Sequence, residues 1–380
     1  MERGRARFGR VSVSSPDVCV VGAGAAGLAC AATLRRAGAE VVVLERDEIG
    51  AAWRARYDCL HLHTVRWLSG LPGYGIPRSY GKWPSRDGVV DYLRRYAGRN
   101  QLDVRPGNRV ERIDRVPEGW AVDAGGERLV ARRVIVATGY SNVPFLPDWP
   151  GTFGGELVHS SDYRRGDLYR GHRVLVVGAG NSGAEIALDV ARAGASDVLL
   201  SVKTPPAVVR RDTLGVPSQL LGIASSRLPV GVVDRIAATM RRAAFGDLAD
   251  VGLPAPDRPY SEFLRRRVIP IVDVGLVSAV KDGRVTVVPA LERFEDGRPV
   301  LADERVLDVD ALIAATGFRT GLEPLVGRLG VLDETGVPLV HGADEHPSAP
   351  GLHFVGYLVT LGGTLRLIGK QAEQLAKVAA

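Results

Sequence analysis

Two stretches of this chain repeat one another: VVGAGAAGLA at Val20–Ala29 and VVGAGNSGAE at Val176–Glu185. Each follows an apolar run, DVCVVG in the first case and HRVLVVG in the second. Each leads into a helix-forming segment that stops at an Ala-Gly, at Ala37-Gly38 and Ala193-Gly194. A second apolar run comes next, AEVVVLE and then SDVLLSV. The order predicts strand, glycine turn, helix, strand, twice over. A lone GxGxxG says little, but one that leaves a strand and opens a helix within a unit of about 30 residues is the dinucleotide-binding fingerprint. Gly22 and Gly178 supply the tight turn, Gly24 and Gly180 let backbone N–H groups approach a pyrophosphate, and Gly27 and Gly183 let helix and strand pack closely. The helix N-terminus adds a partial positive charge for the phosphates.

The copies differ where the adenosine ribose is read. Glu45 stands 23 positions after Gly22, and Ser201 stands 23 positions after Gly178. A carboxylate at this place accepts hydrogen bonds from free ribose hydroxyls and repels a 2′-phosphate, so the first copy fits FAD or NAD. The second has Ser201 and Lys203 instead, with Arg210 and Arg211 further on, a set that fits the 2′-phosphate of NADP. A second echo supports the pairing. VIVATGY ends at Tyr140 and ALIAATGF at Phe318, each a strand running into Ala-Thr-Gly, with Thr138, Gly139, Thr316 and Gly317 placed for a crossover beside a bound dinucleotide.

The remaining totals set bounds. At 380 residues, 46% hydrophobic and 24% charged, the chain suits a globular enzyme of two domains. Its formal charge of +6 favours anionic ligands, but the basic residues are scattered and do not alternate with aromatics, which argues against nucleic acid. Cys19, Cys30 and Cys59 form no CxxC and no metal-ligand spacing, so no metal is expected, and so sparse a set suggests reduced thiols in a cytoplasmic protein. No apolar run approaches the ~20 residues of a transmembrane span. MERGRARFGRVSVSSPD reads as a short disordered leader, and Leu228 to Phe245 as an amphipathic helix.

The motifs together resemble a known family. GAGAAG, GAAW at Gly50 to Trp53, FGGELVHSSDY at Phe153 to Tyr163, GAGNSG and ATGF stand in the order of the class B flavin monooxygenases. The identifying pattern of the flavin-containing monooxygenases, F-x-G-x-x-x-H-x-x-x-[Y/F], is matched by Phe153, Gly155, His159 and Tyr163. Baeyer–Villiger relatives of the first type usually have Trp at the last place. YDCLHLHTVRWLSGLPGYGIP from Tyr57, VVRRD and IPIVDVG resemble the YUCCA-type branch, which converts indole-3-pyruvate to indole-3-acetate. One departure stands out: His63 occupies the place where heteroatom-oxidising members usually have Asn, and Thr64, Val65 and Arg66 match neither branch.

The resemblance implies an α/β fold of two Rossmann-like domains. An FAD domain, about 15–150 and 305–380, is interrupted by an NADPH domain, about 151–304. Arg46, Trp53 and Gly356 join the flavin-side set, and Asn181, Ser182 and His159 the NADPH side, with His159 facing the cleft. Phe153 and Tyr163 would pin the linking segment into the two domains, and Gly155 would allow a tight bend. The implied chemistry is reduction of FAD by NADPH and monooxygenation by dioxygen through a flavin peroxide adduct. A 2-oxo acid would be decarboxylated. His61 and His63 are the candidate polar groups beside the flavin, and Arg66 or Arg211 the candidate grip on a substrate carboxylate. Oxygenation of nitrogen or sulfur in a small amine or thioether, a flavin reductase of the disulfide or ferredoxin-reductase type, and a non-catalytic dinucleotide sensor remain as alternatives. A homodimer is left open.

Overall fold

The computed structural model describes residues 15–213, 215–225, 228–256, 258–259, 261–262, 269–360 and 362–379. Most of the basic leader read from the sequence therefore lies outside the described residues. Two five-stranded parallel sheets organise the chain. The first runs in the order Leu352–Phe354, Arg133–Val136, Val18–Val21, Val41–Leu44, Asp103–Arg105. The second runs Thr286–Val288, Asp197–Ser201, Arg173–Val177, Ala311–Ala314, Glu156–His159. All-parallel sheets are covered on both faces, and their strands read as unbroken apolar runs. VCVV and ALIA are buried at every residue.

The two sheets are copies in connection as well as in sequence. In each, the strand before the glycine turn lies between the strand that follows the helix and the strand that ends in Ala-Thr-Gly. The helices are Ala25–Arg36 and Asn181–Ala193, and the second stops at Gly194, which takes the left-handed conformation at φ +93°. Small residues on Ala25–Arg36 let the C-terminal helix Thr364–Ala379 pack against it, and the Thr33 hydroxyl donates to the Ala372 carbonyl at 3.2 Å. An antiparallel meander, Val110–Val116, Gly119–Ala124 and Glu127–Ala131, covers one face of the first sheet, with Trp120 and Ile113 fully buried.

The chain crosses between the sheets twice, and the two crossings pair with each other: Val143 and Pro144 lie antiparallel to Arg319 and Phe318. The expected return at 305 comes too early, because Ala311–Ala314 pairs with Arg173–Val177 inside the second sheet and seals its apolar centre. Phe153 and Tyr163 hold the linking segment differently from the expectation too. Phe153 packs on Phe294 and Tyr163 on Tyr57 and Tyr169, so they grip opposite faces of the second sheet. Gly155 has no positive φ. Its constraint is space, since a Cβ there would lie 2.5 Å from the Asp310 carbonyl oxygen. Leu228 to Phe245 is helical over Val230–Phe245, and no helix among the described residues is long and apolar enough to cross a membrane.

Candidate active site

A cavity of about 2130 Å³ runs between the C-terminal ends of the two sheets and takes in both glycine turns. Ligands of open α/β sheets bind in this position. The glycines divide their work alike in both copies. Gly22 and Gly178 have φ of +105° and +113°, and a Cβ on either would press on the Ala137 or Ala315 carbonyl of the neighbouring Ala-Thr-Gly strand, at 2.8 and 2.5 Å. A Cβ at Gly27 or Gly183 would lie 1.8 Å from the carbonyl oxygen of Gly22 or Gly178. Gly24 and Gly180, by contrast, have nothing within 4 Å of a built Cβ and line the cavity. Both turns therefore keep open space against bare backbone N–H groups at a helix start, which fits a pyrophosphate.

Around the first turn, Glu45 Oε2 accepts from the Ala23 N–H at 2.6 Å and Oε1 from the Asp47 N–H at 2.9 Å, which fixes the carboxylate on the cavity wall. Arg46 reaches Asn142 Oδ1 at 2.9 Å and also lines the wall, as do Trp53, Thr138, Gly139 and Gly356. The Thr138 hydroxyl is 2.8 Å from that of the buried Tyr357. Burial pushes the Tyr357 phenol above its ordinary range, so it stays neutral. Gly356, at φ +92°, brings its strand end close to Ala26 on the first helix.

Around the second turn, Asn181 is held by the 270–272 segment: its Oδ1 accepts from the Val272 N–H at 2.7 Å and its Nδ2 donates to the Pro270 carbonyl at 3.1 Å. Ser182, Thr316 and Gly317 line the cavity beside it. Lys203 is exposed at the mouth, and Arg210 lies over Phe245. Ser201 also lines the cavity, but its side chain is committed to the protein. It is 2% exposed, and its hydroxyl donates to the Pro289 carbonyl at 2.9 Å and accepts from the Leu291 N–H at 3.0 Å. It ties the end of its strand to the Pro289–Leu291 turn.

His159 is a correction. Its ring sits behind the cavity wall, with Nε2 3.0 Å from the Gly317 carbonyl, Nδ1 2.9 Å from the Ser161 hydroxyl, and its edge on Phe318. Both ring nitrogens are occupied by protein partners, so the residue braces the second Ala-Thr-Gly turn. Arg66 is a second. It lies outside the cavity lining, with its guanidinium over Trp67. His61 and His63 do line the cavity, and His61 Nδ1 is 2.8 Å from the Cys59 carbonyl.

The structure adds Arg56, Gln219 and Glu185, which sequence reasoning passed over, and places Arg211, one of the two candidate carboxylate grips. Arg56 reaches the wall over the Phe318 ring at 4.4 Å and donates to the Ser141 carbonyl. Arg211 lies over Trp83 at 4.3 Å and donates through Nη2 to the Leu62 carbonyl. Its Nε is buried with no partner among the described residues. Burial pulls the Arg211 pKa down to about 10, which still leaves it charged at neutral pH. Gln219 bridges the Val65 N–H and the Gly362 carbonyl. Behind the wall, Glu185 receives the Tyr57 hydroxyl at 2.6 Å and lies 3.4 Å from His63 Nε2. No spacing rule reveals these pairings, because they join segments 85 or more positions apart. The three cysteines are unpaired.

Comparison with known proteins agrees with this geometry. Residues 19–214 match the family described as pyridine nucleotide-disulphide oxidoreductase. The chain is 35% identical over 353 residues to the indole-3-pyruvate monooxygenase YUCCA1 of Oryza sativa subsp. japonica, covering 90% of this chain and 86% of that protein. YUCCA4 of the same plant is also 35% identical, over 82% of this chain and 76% of its own. Among solved structures, the flavin-containing monooxygenase from Stenotrophomonas maltophilia superposes with a TM-score of 0.71 at 28% identity, over 96% of this chain and 99% of that one.

Proposed function

This chain belongs to the flavin-dependent monooxygenase family that includes the YUCCA enzymes, and from that premise we propose that it oxidatively decarboxylates a 2-oxo acid such as indole-3-pyruvate or phenylpyruvate. FAD is held at the first glycine turn by Gly24, Glu45, Arg46, Trp53, Thr138 and Gly356, and NADPH at the second by Gly180, Ser182 and Lys203. The first sheet, about 15–150 and 317–380, is the FAD domain. Residues 151–316 are the NADPH domain.

When bound, the two dinucleotides supply the reductive activation of dioxygen. The chain's own residues orient them, exclude water and hold the substrate. The observation that carries the substrate class is Arg211, a charged, largely desolvated guanidinium on the cavity wall with a free Nε–H. Arg recognises carboxylates through such fixed donors. His63 stands beside it on the wall and is kept neutral, its pKa pushed down to about 4 by burial and then by Arg211 and His61. A neutral imidazole can donate or accept one hydrogen bond at a substrate oxygen without adding charge.

The test is carbon dioxide release from carboxyl-labelled indole-3-pyruvate and phenylpyruvate, with NADPH consumption followed in the same vessel and catalase present. Release equal to NADPH used establishes the decarboxylase. NADPH use without labelled carbon dioxide rejects the 2-oxo acids and directs the search to amines and thioethers. A second measurement concerns Arg211→Lys, expected to raise the KM for the 2-oxo acid about tenfold or more with flavin reduction by NADPH unchanged.

A further inference from the structure

Glu185 is 7% exposed, sits on the helix that opens at the second glycine turn, and does not line the cavity. Its two carboxyl oxygens face two residues from the other half of the chain. Oε2 accepts from the Tyr57 hydroxyl at 2.6 Å, and Oε1 lies 3.4 Å from His63 Nε2. Tyr57 and His63 are both on the cavity wall, and the other ring nitrogen of His63, Nδ1, is buried with no partner among the described residues. A buried carboxyl thus stands behind an imidazole whose second nitrogen is uncommitted. The charged and titratable groups around the carboxyl are Tyr57, His63 and Cys59 from the 57–63 segment, Arg211 from the strand end beyond, and Asp189 one turn along its own helix.

An ionised carboxylate can only accept, so the Tyr57 hydroxyl donates to it, and with His63 Nε2 3.4 Å from Oε1 it favours the imidazole proton on Nε2. A neutral carboxyl reverses the second contact, with its O–H donating to Nε2 and the ring proton moving to Nδ1. The change balances with one proton: a proton from solvent enters at Nδ1 while the Nε2 proton passes to Oε1. Imidazole and carboxyl both end neutral. We propose that Glu185 is a positioning residue that sets the hydrogen-bonding sense of His63, so that Nδ1 is an acceptor when the carboxyl is ionised and a donor when it is protonated.

The surroundings place this exchange near neutrality. Burial lifts the Glu185 carboxyl to about 7, held back by the Tyr57 hydrogen bond and by Arg211, while His63 is pushed down to about 4. An added proton is therefore taken up as a neutral carboxyl and a neutral ring, and the imidazolium is avoided. The inference concerns the chain's own groups and does not depend on the substrate assigned above.

The experiment is nitrogen NMR of the FAD-loaded enzyme labelled at histidine, without substrate, from pH 5.5 to 8.5, with His63 identified by its loss in His63→Gln. The expected result is an Nε2–H ring above a midpoint near 7 and an Nδ1–H ring below it. Glu185→Gln, which keeps the shape of the side chain, should hold one tautomer throughout. Tyr57→Phe removes the donor that favours the ionised carboxylate and should move the midpoint to higher pH. The proposal is overturned if the ring changes state identically in Glu185→Gln, if Tyr57→Phe leaves the midpoint in place, or if the acid form is an imidazolium.

Discussion

The two glycine turns are nearly superimposable in design and differ in what stands at the far end of the second strand. At the first, Glu45 is locked by two backbone N–H groups and holds a fixed negative charge on the cavity wall, at the place proposed for the ribose. At the second, Ser201 turns away into the Pro289–Leu291 turn, and an exposed lysine takes the rim. On the proposed reading the backbone holds a dinucleotide at each turn, and side chains at one end select which. The turns differ in setting as well: Asn181 and Glu185 tie the second to segments far away in sequence, and the first is braced by its own neighbouring strand.

Replacing the central glycine of each turn breaks the comparison most strongly. A Cβ at Gly24 or Gly180 meets no protein atom within 4 Å, so aspartate there should leave the fold intact and put a negative charge at the proposed pyrophosphate position. Gly24→Asp should yield colourless protein after desalting. Gly180→Asp should yield yellow protein that NADPH no longer bleaches without oxygen, a loss on the order of 100-fold or more from one misplaced charge in a phosphate site. Equal flavin loss in both variants would overturn the assignment of one cofactor to each turn. The third glycines should behave in the opposite way. At Gly27 and Gly183 even a methyl group collides with backbone 1.8 Å away, so alanine at either should destabilise the protein by roughly 1–3 kcal/mol or more through overpacking. Thermal melting of the apoprotein measures this without reference to any ligand.

The sequence was informative about this pair of sheets for a definite reason. Gly22 and Gly178 answer to local backbone requirements, and Ala-Thr-Gly follows a buried strand in both copies, so repetition alone exposes them. The family pattern likewise pointed to Phe153, Gly155, His159 and Tyr163, but spacing does not say which way a side chain turns. His159 faces the Gly317 carbonyl and Ser161, and Ser201 faces Pro289. Along the sequence Glu185 is one more residue of the second helix, because its partners Tyr57 and His63 lie more than a hundred positions earlier. Arg211 was legible as a cation but not as the buried one, and Arg66 owes its exclusion to a short helical turn, Arg66–Leu68, that lays it over Trp67.

The rim of the second turn gives the finest test, because two neighbouring residues should separate cleanly. Lys203→Ala removes the exposed cation at the cavity mouth and should lower the preference for NADPH over NADH by about tenfold, worth about 1.4 kcal/mol, with the melting temperature unchanged. Ser201→Ala should do the reverse. Its hydroxyl joins the Pro289 carbonyl and the Leu291 N–H, and losing both bonds inside a buried turn should cost about 1–2 kcal/mol of stability. The ratio of kcat/KM for NADPH and NADH should stay at the wild-type value. A Ser201→Ala variant that keeps its stability and loses NADPH preference would place the serine back on the phosphate. The second turn would then read its ligand from the strand end, as the first does through Glu45.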